Sequence, residues 1–118
     1  MKIVSARDWL EVPELPCPKI RSERENGKVY KVARVAVVAF PLSACDGIDL
    51  TDVWSEVGKY FFPTIEFTES GKQHTRRLPL GLTNWAIDTV SLAQASLLTF
   101  PMKIEFGVLD GRAYAEML

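Results

Sequence analysis

The side chains best suited to nucleophilic or metal chemistry in this sequence are one histidine and two cysteines. Cys17 precedes Cys45 by 28 residues, and Cys45 precedes His74 by 29. A structural zinc site needs four well-spaced ligands, and a nucleophilic cysteine or serine needs a base in hydrogen-bond reach. No local motif brings such groups together. We therefore expect no metal site, no cofactor and no catalytic residue.

Acidic residues and glycines give no catalytic signature either. The order of ligands in a calcium loop is not found among the acidic residues Asp46, Asp49, Asp52 and Glu56. They lie three or four residues apart, so on a helix they would form one acidic edge. The seven glycines form neither of the phosphate-binding patterns G-x-G-x-x-G and G-x-x-x-x-G-K-[ST]. An enzyme with no recognisable motif is therefore the third of three functional hypotheses.

Basic residues are concentrated in two segments, 19–34 and 72–77. The first holds six cations against two anions, although the formal net charge of the chain is −1. A basic hairpin with an exposed aromatic ring is typical of single-stranded nucleic-acid binding, in which cations follow phosphates and bases stack. The candidate contacts, with Tyr30 placed by strand parity on the face of Lys28 and Arg34, are Lys28, Tyr30, Lys31, Arg34, Lys72, Arg76 and Arg77. The other interpretation is that these cations protect a sheet edge from association.

Composition and length indicate one domain in a reducing compartment. The chain has 118 residues, of which 47% are hydrophobic and 25% charged, as in an ordinary globular domain. No apolar run reaches the length of a membrane span, the N-terminus does not resemble a signal peptide, and the two cysteines lack C-x-x-C spacing. We expect a cytoplasmic protein with reduced thiols and no membrane contact.

Three turn signals predict three β-hairpins. Asn26-Gly27, Ser70-Gly71 and Asp110-Gly111 each precede a cation, and tight hairpin turns need the positive φ that glycine adopts freely. Strict alternation predicts that residues 102–109 pair with 112–117. The wholly apolar run from Val35 to Phe40 predicts a central strand that is covered on both faces.

Two segments between the hairpins have helical spacing. Residues 51–61 carry apolar side chains at three- and four-residue intervals after Thr51, and residues 84–98 do so after Asn84. The predicted fold is a single α+β domain over 1–118. It has a mostly antiparallel sheet of three β-hairpins and two short helices, in the order ββαββαββ, and residues 1–18 form an extended, Pro-containing N-terminal arm.

The leading functional hypothesis is a non-enzymatic binding module. Three tryptophans and the run 35–40 supply more hydrophobic surface than a domain of this size easily buries. We expect protein–protein contact, either with a second copy as a homodimer or as an accessory or inhibitory subunit. The alternative is a single-stranded nucleic-acid-binding protein that uses the basic hairpins 19–34 and 72–77.

Overall fold

The computed structural model describes residues 5–20, 27–48, 50, 53–56 and 58–118, and within them the protein is a mixed α+β fold with few helices. The elements are α1 (Ala6–Glu11), β1 (Lys19–Ile20), β2 (Lys28–Pro41), β3 (Trp54–Glu56), β4 (Lys59–Glu69), β5 (Lys72–Arg77), α2 (Thr83–Gln94), β6 (Met102–Leu109) and β7 (Arg112–Met117), with short 3-10 helices at Leu42–Cys45 and Leu80–Leu82.

The strands form one mostly antiparallel sheet. Its main path runs β1, β6, β2, β4, β3. Two strands lie off this path: β7 pairs with β6, and β5 pairs with β4. Only the short pairing of β1 with β6 is parallel among these named strands. The sequence correctly predicts the fold class, whereas the exact order of elements is different.

Two of the three expected hairpins are present. β4 and β5 meet at Ser70 and Gly71, whose φ angles are 55° and 76°, and β6 and β7 meet at Asp110 and Gly111, with φ angles of 53° and 74°. Two consecutive positive φ angles define the turn whose twist matches that of paired strands. The expected pairing of residues 102–109 with 112–117 is found with those bounds.

The first expected hairpin, over residues 19–34, is not formed by the described residues. Lys19 and Ile20 instead pair in parallel with Val108 and Leu109 of β6. Asn26 of the expected tip lies outside the described residues. The turn signal could not reveal this arrangement, because Lys19 and its partner Val108 are far apart in sequence.

The predicted helix over residues 51–61 is wrong. Trp54–Glu56 and the residues from Lys59 onward are strands, and Trp54 pairs with Phe61. Gly58, with a φ of 80°, lies in the turn between them. Aromatic and β-branched residues favour strands, so here tertiary pairing overrides an accidental helical spacing. Thr51, Asp52 and Val57 of that prediction lie outside the described residues.

The second predicted helix is present but shorter than residues 84–98. α2 ends at Gln94, because Ser96 adopts a φ of 60° and the amides of Ser96 and Leu97 donate to the carbonyls of Ala93 and Leu92. This pair of bonds is a Schellman motif, which satisfies the last carbonyl groups of a helix. Leu97 therefore leaves the apolar stripe and is 69% exposed.

A β-bulge in β2 divides the apolar side chains between two clusters on opposite faces of the sheet. The register shifts between Val32 and Arg34, so Tyr30 and Val32 share a face with Val35 and Val37 rather than with Arg34. The first cluster lies under α2 and contains, among others, Val32, Val35, Ile65, Ala86, Ile104 and Phe106. The second cluster lies under α1 on the opposite face and is built around Ala6, Cys45, Val53 and Phe62.

The two clusters explain the unbroken apolar run of β2. Val35 and Val37 pack with the first cluster, whereas Val38 and Phe40 pack with the second. The strand is therefore covered on both faces where the clusters overlap, as the sequence predicts. Its position is central only in part, because β6 pairs with no residue of β2 beyond Val32.

Within its described part, residues 5–18, the arm predicted to be extended is helical over Ala6–Glu11 and extended only afterwards; residues 1–4 lie outside the described residues. Ser5 caps α1 by accepting a hydrogen bond from the amide of Asp8, and the chain is extended after Val12. Arg77 holds this extended part, because its amide donates to the carbonyl of Pro13 and its Nε to that of Val12, at 2.9 Å in each case. Leu15 enters the first cluster, so residues 12–18 form a strap across the sheet.

Candidate functional site

The second half of β2 has an unpaired edge among the described residues. The amide of Leu78 donates to the carbonyl of Pro63 at 2.9 Å on the β5 side of β4. In an antiparallel ladder the N–H and C=O of one residue point to the same side, so Pro63 does not bond to Val37, its register partner in β2. The polar backbone groups of Val37 therefore point away from β4.

Alternation extends this arrangement along the strand. The N–H and C=O of Val35 and Ala39 point to the same side as those of Val37. No described strand lies there, since β6 begins at Met102 beside Val32, and no backbone hydrogen bond from a described residue reaches these three residues. We call Val35, Val37 and Ala39 the free edge.

The free edge carries neither of two features that commonly protect an edge strand, a charge and a proline. From Val35 to Phe40 every residue is apolar, with neither a charge nor a proline. By contrast, β5 at the outer side of β4 carries Lys72, Arg76 and Arg77, and β3 is only three residues long. An unprotected apolar edge is a template for pairing with another extended segment.

A groove runs beside the free edge, between β2 and the C-terminal half of α2. Its volume is about 420 Å³, and it is lined by Arg34, Val35, Ala36, Val37, Val90, Ala93, Gln94 and Phe100. Leu92 and Leu97, near the end of α2, are 39% and 69% exposed. A segment paired to the free edge would thus also meet apolar side chains on the face that α2 covers.

An apolar patch continues this face beyond α2. Phe61 of β4 is paired with Ala39 of β2 on one side and with Trp54 of β3 on the other. The ring centroids of Trp54 and Phe61 are 5.1 Å apart. Directly opposed residues share a face, and Ala39 lies two residues after Val37, so the patch is on the α2 side of the sheet. The other tryptophans, Trp9 and Trp85, pack against the two clusters, whereas the patch belongs to neither.

Four of the candidate nucleic-acid contacts, Lys28, Tyr30, Lys72 and Arg76, line one basic groove on the same face. The groove has a volume of about 400 Å³ and is lined by Pro16, Lys28, Tyr30, Phe67, Glu69, Ser70, Lys72, His74 and Arg76. Lys28 forms an ion pair with Glu69 at 3.5 Å, and His74 stacks on Phe67 with ring centroids 5.3 Å apart. The groove therefore presents cations beside an aromatic surface.

Tyr30 is buried at the base of this groove, and the other three candidate contacts lie elsewhere. Tyr30, expected to be exposed, is 3% exposed, its ring packs edge-on against Phe67 and Phe106, and its hydroxyl donates to the carbonyl of Pro16 at 3.0 Å. Burial raises the pKa of this phenol. Lys31 lies on the opposite face by strand alternation, and Arg34 does so because of the bulge. Arg77 holds the strap.

Both cysteines are free thiols that belong to different parts of the structure. Cys17 borders a depression of about 570 Å³ between the strap and the β6–β7 hairpin, whereas Cys45 is buried in the second cluster. Burial, and to a lesser extent Glu14, raises the pKa of Cys17 to about 11, and burial likewise raises that of Cys45. Neither thiol is therefore prepared to act as a nucleophile near neutral pH.

Within the described parts of the chain, no group of three or more histidine, cysteine or carboxylate side chains could hold a metal ion. Nor does any helix in those parts have the length and apolar character needed to cross a membrane. Comparison with protein-family models, curated proteins and solved structures finds no match to this chain.

The free edge is the feature that sequence reasoning missed. A signal for it exists in the sequence, since the run from Val35 to Phe40 is wholly apolar. A sequence pattern does not tell which side of a strand is paired, however, and this depends on where β6 begins.

Proposed function

We propose that this protein is a non-enzymatic binding module that acts through protein–protein contact at the free edge of β2. An extended segment of the partner adds to the sheet, and its backbone bonds to Val35, Val37 and Ala39. The observation that carries the proposal is the outward direction of these backbone groups on an unprotected apolar strand. Main-chain bonds supply affinity in this mode of recognition, and alternate side-chain pockets supply specificity.

The groove beside the edge supports the same proposal. Side chains of an added strand alternate between the faces of the sheet, and those on the α2 side would enter the groove next to Val90, Ala93 and Phe100. An apolar segment is favoured there, because Arg34 and Gln94 are the only polar residues among the lining.

Selection from a library of extended peptides tests this proposal directly. A phage-displayed library of nine-residue peptides is selected against the protein immobilised at low density. We expect enriched peptides with alternating apolar residues. Their affinity should fall by about tenfold or more for Ala39→Pro, which removes one outward N–H from an exposed position, and should be kept by Ala39→Val, which retains it.

Circular dichroism of each variant shows whether the fold is kept, and Ala39→Lys replaces the proline variant if it is not. Enriched peptides that bind Ala39→Pro and the unchanged protein equally would place their site elsewhere. A library from which no peptide is enriched would refute strand addition at this edge.

A second candidate function is single-stranded nucleic-acid binding at the basic groove. It is favoured by the convergence of Lys28, Lys72 and Arg76 on one depression beside His74. Lys31, Arg34 and Arg77 take no part in this revised contact set, and Tyr30 contributes only the edge that lines the groove. The two functions use different surfaces, so each can be tested without disturbing the other.

The compartment that we propose is the cytoplasm. Two free thiols in separate parts of the structure are consistent with a reducing environment, in which disulfides are rare.

A further inference from the structure

We propose that the partner at the free edge is a second copy of this chain, with the two β2 strands antiparallel and a two-fold axis at Val37. This inference rests on the proposed function and names the partner. It is carried by the self-complementarity of the edge in its backbone bonds, its charges and its apolar surface.

The backbone pattern fits one register in particular. With the axis at Val37, Val37 of one copy faces Val37 of the other, and Val35 of one copy faces Ala39 of the other. All three residues of the free edge direct their N–H and C=O outward, so each becomes part of a hydrogen-bonded pair. Pro41, which has no N–H to donate, lies beyond this paired stretch.

Charge is also compatible with this register. Arg34 is the only charged residue between Ala33 and Pro41, and across the axis it faces Phe40 rather than its own copy. Directly opposed residues share a face of the sheet, so the guanidinium lies beside an aromatic ring, which attracts a cation. No two like charges are opposed in the paired stretch.

The apolar surfaces complement one another in the same way. With a two-fold axis perpendicular to the sheet, the faces that α2 covers in the two copies lie on the same side of the joined sheet. In each copy α2 lies over β2 near Val35 and Val37. The apolar patch lies beyond α2, with Ala39 exposed and Trp54 and Phe61 half-buried. Because Val35 of one copy lies opposite Ala39 of the other, α2 of each copy would lie beside the patch of its partner.

The oligomeric state of the full chain provides the first test. Sedimentation velocity over a concentration series should give a reversible dimer. Ala39→Lys, which places a charge at the pairing surface, should weaken dimerisation by about tenfold or more. Val29→Lys is the matched control, because Val29 is a similarly exposed position of the same strand where β6 already pairs, and it should leave the dimer unchanged.

Disulfide trapping tests the register itself. In a background of Cys17→Ser and Cys45→Ser, Val37→Cys should oxidise to a covalent dimer, since hydrogen-bonded partners have Cα atoms about 5.5 Å apart, within disulfide range. Ala39→Cys should not, although position 39 is more exposed, because the two copies of it would be about 14 Å apart along the strands.

The outcomes separate the inference from the proposed function. A monomer at all concentrations that still selects peptides dependent on Ala39 would refute the second copy and leave strand addition in place. A dimer that tolerates Ala39→Lys, or that is trapped through position 39, would refute this geometry. A monomer that selects no peptide would refute both.

Discussion

Tyr114 lies across Gly107, its register partner on the neighbouring strand, and occupies the space that a side chain at position 107 would need. A β-carbon built on Gly107 would be 2.7 Å from Cε1 of the Tyr114 ring. The hydroxyl of Tyr114 donates to Oε2 of Glu105 at 2.7 Å, which fixes the ring over the glycine. An aromatic ring thus covers the gap that glycine leaves in β6.

We predict that Gly107→Ala lowers the free energy of unfolding by about 1–3 kcal/mol, because the added methyl group displaces the Tyr114 ring. Urea denaturation measures the change. Gly81→Ala is the control, since nothing lies within 4 Å of a β-carbon at that position. If the ring is the cause, Gly107→Ala should cost much less in a Tyr114→Ala background, and an equal cost in both backgrounds would contradict this explanation.

Substitution of the buried Tyr30 should lower the stability of the fold. We predict that Tyr30→Phe lowers the free energy of unfolding by about 0.5–1.5 kcal/mol, because it removes the hydrogen bond to the carbonyl of Pro16 and keeps the ring. Tyr30→Ala should cost about 3–5 kcal/mol, as is typical when a buried aromatic ring is removed. Equal unfolding free energies for Tyr30→Phe and the unchanged protein would show that the strap is not held by this bond.

The thiol of Cys17 should react slowly and with a strong dependence on pH. Its pKa of about 11, against 9.0 for an ordinary thiol, lowers the thiolate fraction at pH 8 about a hundredfold. We predict that alkylation of Cys17 by iodoacetamide is slower by about that factor in the folded protein than in urea, and accelerates about tenfold per pH unit up to about pH 11. Peptide mass spectrometry distinguishes Cys17 from Cys45. Equal rates in the folded and unfolded protein would show that burial does not suppress ionisation.

Nucleic-acid binding at the basic groove should depend on one face of the sheet. We predict that a labelled single-stranded oligonucleotide binds with an affinity that falls steeply as salt rises, and that Lys72→Ala with Arg76→Ala flattens the slope by about two contacts. Lys31→Ala with Arg34→Ala makes the same change of charge on the opposite face and should leave the slope unchanged. Absence of binding at low salt, or equal effects of the two double variants, would refute the basic groove as the site.

The sequence predicted those elements whose partners are close along the chain. The turns at Ser70-Gly71 and Asp110-Gly111 determine their own hairpins, because positive φ angles and alternating apolar residues are local properties. The predicted helix over residues 51–61 is wrong because the spacing of Trp54 and Phe61 is also compatible with a helix. Only the pairing of the strands on either side of Gly58 makes these two residues neighbours. Gly58 was the available signal for a turn.

The candidate sites depend on relationships that no local pattern contains. The free edge exists because β6 begins opposite Val32, and β1 pairs with the far end of β6. The face of Arg34 depends on a bulge that has no sequence signature here. The grouping of Lys28 with Lys72 and Arg76 follows from the pairing of β2 with β4 and of β4 with β5, which sequence alone leaves open.

The bulge makes Ala33 the one supernumerary residue of β2. Val32 pairs with Phe67 and Arg34 with Glu66, so β4 has no residue that corresponds to Ala33. A chain shortened at this position could keep both pairings and the face of every other side chain in the strand. Deletion of Ala36 would instead move every side chain on one side of the deletion point to the opposite face of the sheet. The apolar residues there would then exchange between the two clusters. Tolerance to the loss of a residue is therefore confined to a single point along this strand.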